Sequence, residues 1–499
     1  MSTEDKGLGF FKTIGSFKQR FWVASSMEIF ERWAWYGLFA VLALYLTGST
    51  DEGGLGFSHV QKGQIMGYVT AILYLLPLVT GVIADRIGYK KSLIISYFML
   101  ISGYYLMGEV SSYAMVFLVF LYVAIGAALF KPVISAIITI STDKSNSTLG
   151  FGIFYMMVNI GGFIGPAMSS TLRTQYGWKM IFIQAAVVIF INLLIVIFFY
   201  KDPPKEKKEK ESFSDAVKGS VTNITEALSD KRLVVLLIIM IGFWTMFNQL
   251  FYTLPTFIED WVNTAALHNE IAKLSPWLAS FMSGGGTSVN PEMLINIDAG
   301  AIVVFQIIVS YFVLKFRHVS AMLAGFIIAA IGIGITFYTG NGLYTILGIV
   351  IFAIGEMTTN PTFSSFVALI SPKGKEALYM GTYFLPIFAG NFFTTFISGN
   401  LYQAWSDKLS LLNTEMAKRG IEIQQVGDGF SKNEYFTLAS EKLGMTESEM
   451  TQMLWDSYQP NRIWYVIVAV GVVSIIALFI YDKMVIKPKE KREADASIV

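Results

Sequence analysis

Apolar residues in this chain collect into long runs separated by short polar breaks, and the runs have the length needed to cross a bilayer. About twelve of them reach roughly 20 residues, at which a helix covers the hydrocarbon core. They lie near 22–47, 61–84, 92–109, 113–140, 150–171, 179–200, 233–258, 294–314, 319–339, 343–370, 377–402 and 462–482. Six runs precede the one long polar connection, "KDPPKEKKEKESFSDAVKGSVTNITEALSDKR", and six follow it. The first half of that connection is a charged linker. In its second half Phe213, Val217, Val221, Ile224 and Leu228 recur at helical spacing, which predicts a helix lying on the membrane surface. The pattern divides the chain into a tail at 1–21, a six-helix bundle at 22–200, a linker at 201–232, a second six-helix bundle at 233–483 and a tail at 484–499. Two insertions in the second bundle, near 259–293 and 403–461, exceed a turn. The second contains "TESEMTQMLW", where Thr446 and Glu449 have capping-box spacing and predict a short helix. The expected fold is an all-α membrane protein of twelve transmembrane helices in two bundles, the layout of a secondary transporter.

Composition supports the membrane reading: of 499 residues, 54% are hydrophobic and 15% charged. Mean hydropathy is +0.55, more apolar surface than a soluble globule can hide. A net charge of +1 gives no reason to expect nucleic acid as a partner. The absence of cysteine removes disulfides, thiolate metal sites and a cysteine nucleophile. The N-terminus has no apolar core followed by a small-residue cleavage site, so it reads as a retained tail. Lys12, Lys18, Arg20, Arg86, Lys90, Lys91, Lys144, Lys315, Arg317, Lys373, Lys375 and the closing "KPKEKRE" fall on one side if both termini are cytoplasmic. Arg173 and Lys179 are exceptions.

The first run carries the chemistry. Within "EIFERWAWYG", Glu28, Glu31 and Arg32 occupy positions that cost about 2.5–3.5 kcal/mol each at mid-bilayer. At about 100° per residue they share an arc of roughly 140° with Tyr36, so they can face a bundle interior. Glu28 and Arg32 form an i,i+4 pair. Two acids against one arginine leave a carboxylate needing a partner or a proton, and a proton that comes and goes is a coupling ion. Lys131, the one charge in "AIGAALFKPVISAI", lies 12 residues from Asp143, about 18 Å along a helix. Glu31 is about 16 Å in from Arg20, a similar depth. A balanced cluster of Glu28, Glu31, Arg32 and Lys131 is therefore expected. Protonating either acid would free positive charge for an anionic substrate group.

"ExxER" in the first run, "GVIADRIGYKK" after the second, "FKPVISA" and "FYMMVNIGGFIGP" together resemble the proton-dependent oligopeptide transporter family of the major facilitator superfamily. The resemblance is specific over 25–170. Beyond it, "FWTMFNQ" and "GEMTTNP" match in part. It implies two six-helix bundles rocking about a central site and inward symport of di- and tripeptides with protons. It also implies a multi-pass protein of the cell (inner) membrane. It assigns proton coupling to Glu28, Glu31, Arg32 and Lys131. It assigns peptide contact to Tyr36, Tyr68, Lys131 and Asn159, and peptide-amine contact or gating to Glu356. Asn248 and Asn296 complete the candidate substrate set. Gly81, Asp85, Arg86, Gly88, Lys90 and Lys91 match the superfamily's gate loop, in which Gly88 permits a tight turn.

Three positions depart from the family: Phe39 stands where an arginine is usual, Asn248 replaces an acid, and "NPTF" replaces "SPxG". The two helices that many prokaryotic members carry between the bundles are missing from this linker. Asp298, at a depth similar to that of Asn248 and on one stripe with Gln306 and Ser310, is a candidate replacement acid. The opposing expectation places it at the outer mouth in water. His59, His268 and His318 sit at loop or helix-end positions and are expected to face solvent. No phosphate loop, catalytic constellation or metal-ligand spacing is visible, so neither an enzyme nor a metal or organic cofactor is expected, the proton being the coupling ion. A symporter of the same fold for an amino-acid derivative or organic anion, and a sensor that binds without transport, are the alternatives. Small solutes or short peptides, protons and the bilayer are the expected partners, with the protein a monomer.

Overall fold

The computed structural model describes residues 14–142, 146–202, 212–313, 315–372, 375–427 and 429–488. Lys12, Lys144, Lys373 and the chain end from 489 lie outside them, as does most of the charged half of the linker. The described residues form helices and turns without a strand, apart from one antiparallel bridge between Gly427 and Phe430. Among them, nine helices are long and apolar enough to cross a membrane. A tenth follows if His59–Leu75 and Pro77–Ile87, bent by 49°, count as one span.

Each expected run is helical to within a few residues. Gln19–Thr47, Tyr113–Ser141, His318–Tyr338 and Gly342–Ile370 are continuous. The 233–258 run instead breaks into Lys231–Phe247, Gln249–Tyr252 and Leu254–Trp261. The 377–402 run contains a π-helical turn at Phe396–Leu401. The linker helix, Phe213–Ala227, touches both Pro77–Ile87 and Glu376–Gly381.

Prolines inside helices free a carbonyl four residues earlier, which must find another donor within the bilayer. Two of these donors are side chains of neighbouring helices. Pro132 frees the Ala128 carbonyl, which accepts from the Thr80 hydroxyl at 2.7 Å. Pro361 frees that of Met357, which accepts from the Gln306 amide at 3.4 Å.

The apolar interior forms two main cores. One is built from residues between Phe17 and Tyr200, joined by Tyr252. The other is built from residues between Ala227 and Ile486, joined by Ala167. The functional candidates lie where these halves meet.

Candidate functional site

Arg32 organises the first-half site. Its Nε donates to Glu31 Oε2 at 2.6 Å and lies 3.3 Å from Glu28 Oε1, so one guanidinium holds both carboxylates. Glu31 is fully buried, and Glu28 and Arg32 are nearly so. Among the described residues Glu31 Oε1 has no hydrogen-bond partner. The guanidinium also lies over the Tyr36 ring, 5.7 Å from its centroid. Behind Arg32 runs the glycine face of Ser147–Tyr176. A Cβ at Gly161 would sit 2.4 Å from the Ile29 carbonyl and 2.8 Å from Arg32 Cβ. The glycines of "NIGGFIGP" therefore set how closely the fifth run backs the charged stripe.

Lys131 departs from the expected cluster. It makes no ion pair within 4 Å among the described residues; its ammonium lies over the Tyr74 ring, 4.6 Å from the centroid. It remains within electrostatic range of Glu28, Glu31 and Arg32. The reason is local: Arg32 already reaches both acids from their own helix, leaving Lys131 the aromatic face beside the Leu75–Pro77 bend. Tyr74 was not among the sequence candidates, because one tyrosine in an apolar run carries no signal of its own.

The second half contributes a pair of acids. Asp298 is buried, with 3% of its surface exposed, which removes the outer-mouth alternative. Its carboxyl group lies in electrostatic range of the Glu356 carboxyl group on a neighbouring helix, and Asp298 Oδ1 and Glu356 Oε2 are buried without a hydrogen-bond partner among the described residues. Two buried carboxylates at close range repel in a low dielectric, and a proton on one of the pair removes that conflict. Asn360 donates to Glu356 Oε1 at 3.1 Å. Gln306 donates to Ser310 at 2.8 Å, so the polar stripe of Pro291–Val313 is internally bonded.

The remaining candidates scatter around this centre. Asn159 donates to the Tyr155 carbonyl at 2.8 Å. The Tyr155 side chain is 42% exposed while lying in electrostatic reach of Tyr36, Asp298 and Glu356. Tyr68 stacks on Phe392 at 5.5 Å, across the two halves. Asn296 donates to the Phe163 carbonyl at 3.0 Å, also across the halves. Asn248 is buried at the first break of the divided run. Phe39, in the arginine position, packs edge-on against Tyr252 at 5.5 Å.

In the loop "ADRIGYKK", Gly88 adopts φ +93°, a region closed to most side chains. Lys90 donates to the Ile197 and Tyr200 carbonyls at 2.8 and 2.9 Å, and its backbone N–H donates to Asp202. Arg86 covers the Phe213 ring of the linker helix at 5.4 Å. Asp85 lies in electrostatic range of Tyr89. Gly81 faces Pro132 at 3.8 Å from its Cβ position. Lys91 is exposed.

His59 was expected in solvent and is 3% exposed. It lies at a helix end in the sequence, but that end is covered by the later half of the chain.

The Major Facilitator Superfamily model matches residues 24–291, more than half of the chain. Dipeptide and tripeptide permease A of Erwinia pyrifoliae is 29% identical over 187 residues, which are 36% of this chain and 37% of that relative. The matched stretch thus spans about a third of the relative. A POT family transporter solved with 5-aminolevulinic acid has a TM-score of 0.64 at 19% identity, covering 96% of this chain and 99% of that one. A solved nucleoside transporter also reaches 0.64, at 14% identity over 93% and 99%. Such likeness fixes the fold and leaves the cargo to the site. The chain belongs to the Major Facilitator Superfamily, and within it resembles the proton-dependent oligopeptide transporters.

Proposed function

We propose that the protein is a proton-coupled symporter that imports di- and tripeptides through a cell membrane by alternating access. In this reading Tyr89–Met107 and the bent helical stretch 384–405 complete twelve spans. The linker and both termini are cytoplasmic, and the protein works as a monomer in the inner membrane. The observation that carries the proposal is the pair of acid sites on opposing halves. One is two glutamates on a single arginine; the other is the buried Asp298 carboxyl group in electrostatic range of Glu356. Protonation of Glu28 or Glu31 releases part of Arg32, and with Lys131 that charge receives the peptide carboxylate. Loss of a proton from Asp298 or Glu356 leaves negative charge for the peptide ammonium. Proton movement and peptide binding are then the same electrostatic event, and Tyr36, Tyr68 and Asn159 position the backbone between the two poles. The relatives named as peptide permeases support this choice of cargo.

Uptake of a labelled dipeptide into proteoliposomes under an inward proton gradient tests it. Accumulation above the outside concentration, abolished by a protonophore, is expected. Glu31→Gln is expected to lose accumulation while keeping part of counterflow, because exchange needs no net proton movement. Undriven equilibration in the parent protein would refute coupling, and no dipeptide flux at all would refute the cargo.

A further inference from the structure

On the face opposite the linker, a buried charge cluster joins the halves at residues the transport reading does not use. His59 and Lys62 come from the first half; Asp260, Asp407 and Lys432 come from the second. His59, Lys62, Asp260 and Asp407 all have less than a tenth of their surface exposed. His59 Nε2 is 3.4 Å from Asp407 Oδ1, and its backbone N–H donates to Gln403 at 2.8 Å. Lys62 donates to the Tyr252 carbonyl at 2.9 Å and lies 5.3 Å from the Tyr402 ring centroid. The Tyr402 hydroxyl donates to Asp260 at 2.8 Å, and Lys432 stands 3.7 Å from Asp260. Beside them, Asn433 donates from its backbone to Ser49 at 3.2 Å and from its side chain to Asp51 at 3.1 Å. A cavity of about 180 Å³ lies between the two sides, lined in part by Thr50, Ser58, His59, Gln403, Asp407 and Lys432.

Ligand atoms of His59, Asp260 and Asp407 lie within 4.8 Å of one another, as for a metal. Lys62 and Lys432 already balance the two carboxylates, however, and a divalent ion would leave buried charge uncompensated. The cluster instead has the character of a latch. His59 and Lys62 find their partners, Asp407, Gln403 and the Tyr252 carbonyl, on the opposite half and lose them when the halves part. Asp407, Lys432 and Asn433 all belong to the 403–461 insertion, which is thereby fastened to the opposite half.

We propose that the 403–461 insertion is a gate strap, docking on His59, Lys62 and the Ser49–Asp51 loop to hold this face shut and undocking once in every cycle. This rests on the alternating-access reading above. The chain has no cysteine, so Ser49→Cys with Asn433→Cys gives one defined cross-link. The reduced double variant is expected to transport. The oxidised one is expected to lose uptake and recover it with dithiothreitol. A fully cross-linked protein that transports like the reduced one overturns the proposal, because the insertion is then a fixed cap. A second measurement needs no cargo: spin-label distances between Glu52→Cys and Glu441→Cys, with and without Asp407→Asn. A shift to longer distances in the Asp407→Asn protein is expected, and an unchanged distribution overturns the latch. If reduced protein moves no dipeptide, the transport reading fails while the distances still decide the strap.

Discussion

At the scale of single residues, the proposed symport turns on which acid holds a proton and which cation answers it. Asp298→Asn keeps a polar group of the same shape near Glu356 and removes the capacity to carry a proton. Driven uptake should fall about tenfold or more, equivalent to about 1.4 kcal/mol of barrier or more, while counterflow survives. Near-parental driven uptake would leave Glu28, Glu31 and Arg32 as the one proton site. Lys131 tests the other pole. Lys131→Gln loses the charge but keeps a polar head over Tyr74, so it should fold and fail to accumulate peptide. Lys131→Ala also loses the stem packed on the ring and should melt at lower temperature than Lys131→Gln. Equal melting temperatures would remove the ring contact from the account. The charged stripe of the first run was legible in the sequence, because intramembrane charges are costly and their helical spacing is exact. The partners of Lys131 and Asp298 were not. Depth along a helix places two groups at one level, but it gives neither azimuth nor the neighbour across a groove, here Tyr74 and Glu356.

At the scale of elements, apolar length was the readable signal and backbone breaks were not. The runs at 22–47 and 113–140 became Gln19–Thr47 and Tyr113–Ser141. Thr446 and Glu449 form the expected capping box at the head of Glu447–Tyr458. The split near Asn248 and Thr253 escaped, although Asn248, Gln249, Thr253 and Pro255 mark it, because the run around them stays apolar enough to read as one span. Ser431 with Glu434 forms a second capping box that the sequence showed in the same way but that was not singled out. Asp230 caps Lys231–Phe247, accepting from the Arg232 backbone at 2.9 Å and from the Tyr379 hydroxyl at 3.0 Å. Burial pushes its carboxyl up, but the bonds from Arg232 and Tyr379 outweigh that and hold it below the usual carboxylate range. Its stabilising effect is therefore complete above the free carboxylate value near 3.9 and fades as pH falls through the lower folded value. Asp230→Ala should cost about 1 kcal/mol at neutral pH. The gap in melting temperature from the parent should narrow on acidification toward pH 3, and a constant gap would contradict the assignment.

At the scale of the whole molecule, polar contacts between the halves concentrate opposite the linker. Arg173 donates to Glu292 at 3.0 Å, and Asn290 donates to Ser170 at 2.7 Å, beside the His59 cluster. Arg173, an exception to the charge bias, thus works as an inter-half contact. The central claim is that peptide and proton enter together. It is tested by trapping a pH-sensitive dye in proteoliposomes and adding dipeptide outside, with no pH gradient imposed and potential clamped. The account predicts that the lumen acidifies at a rate proportional to peptide entry, and that Asp298→Asn reduces this proton signal. Peptide entry with no acidification in the parent protein would contradict it.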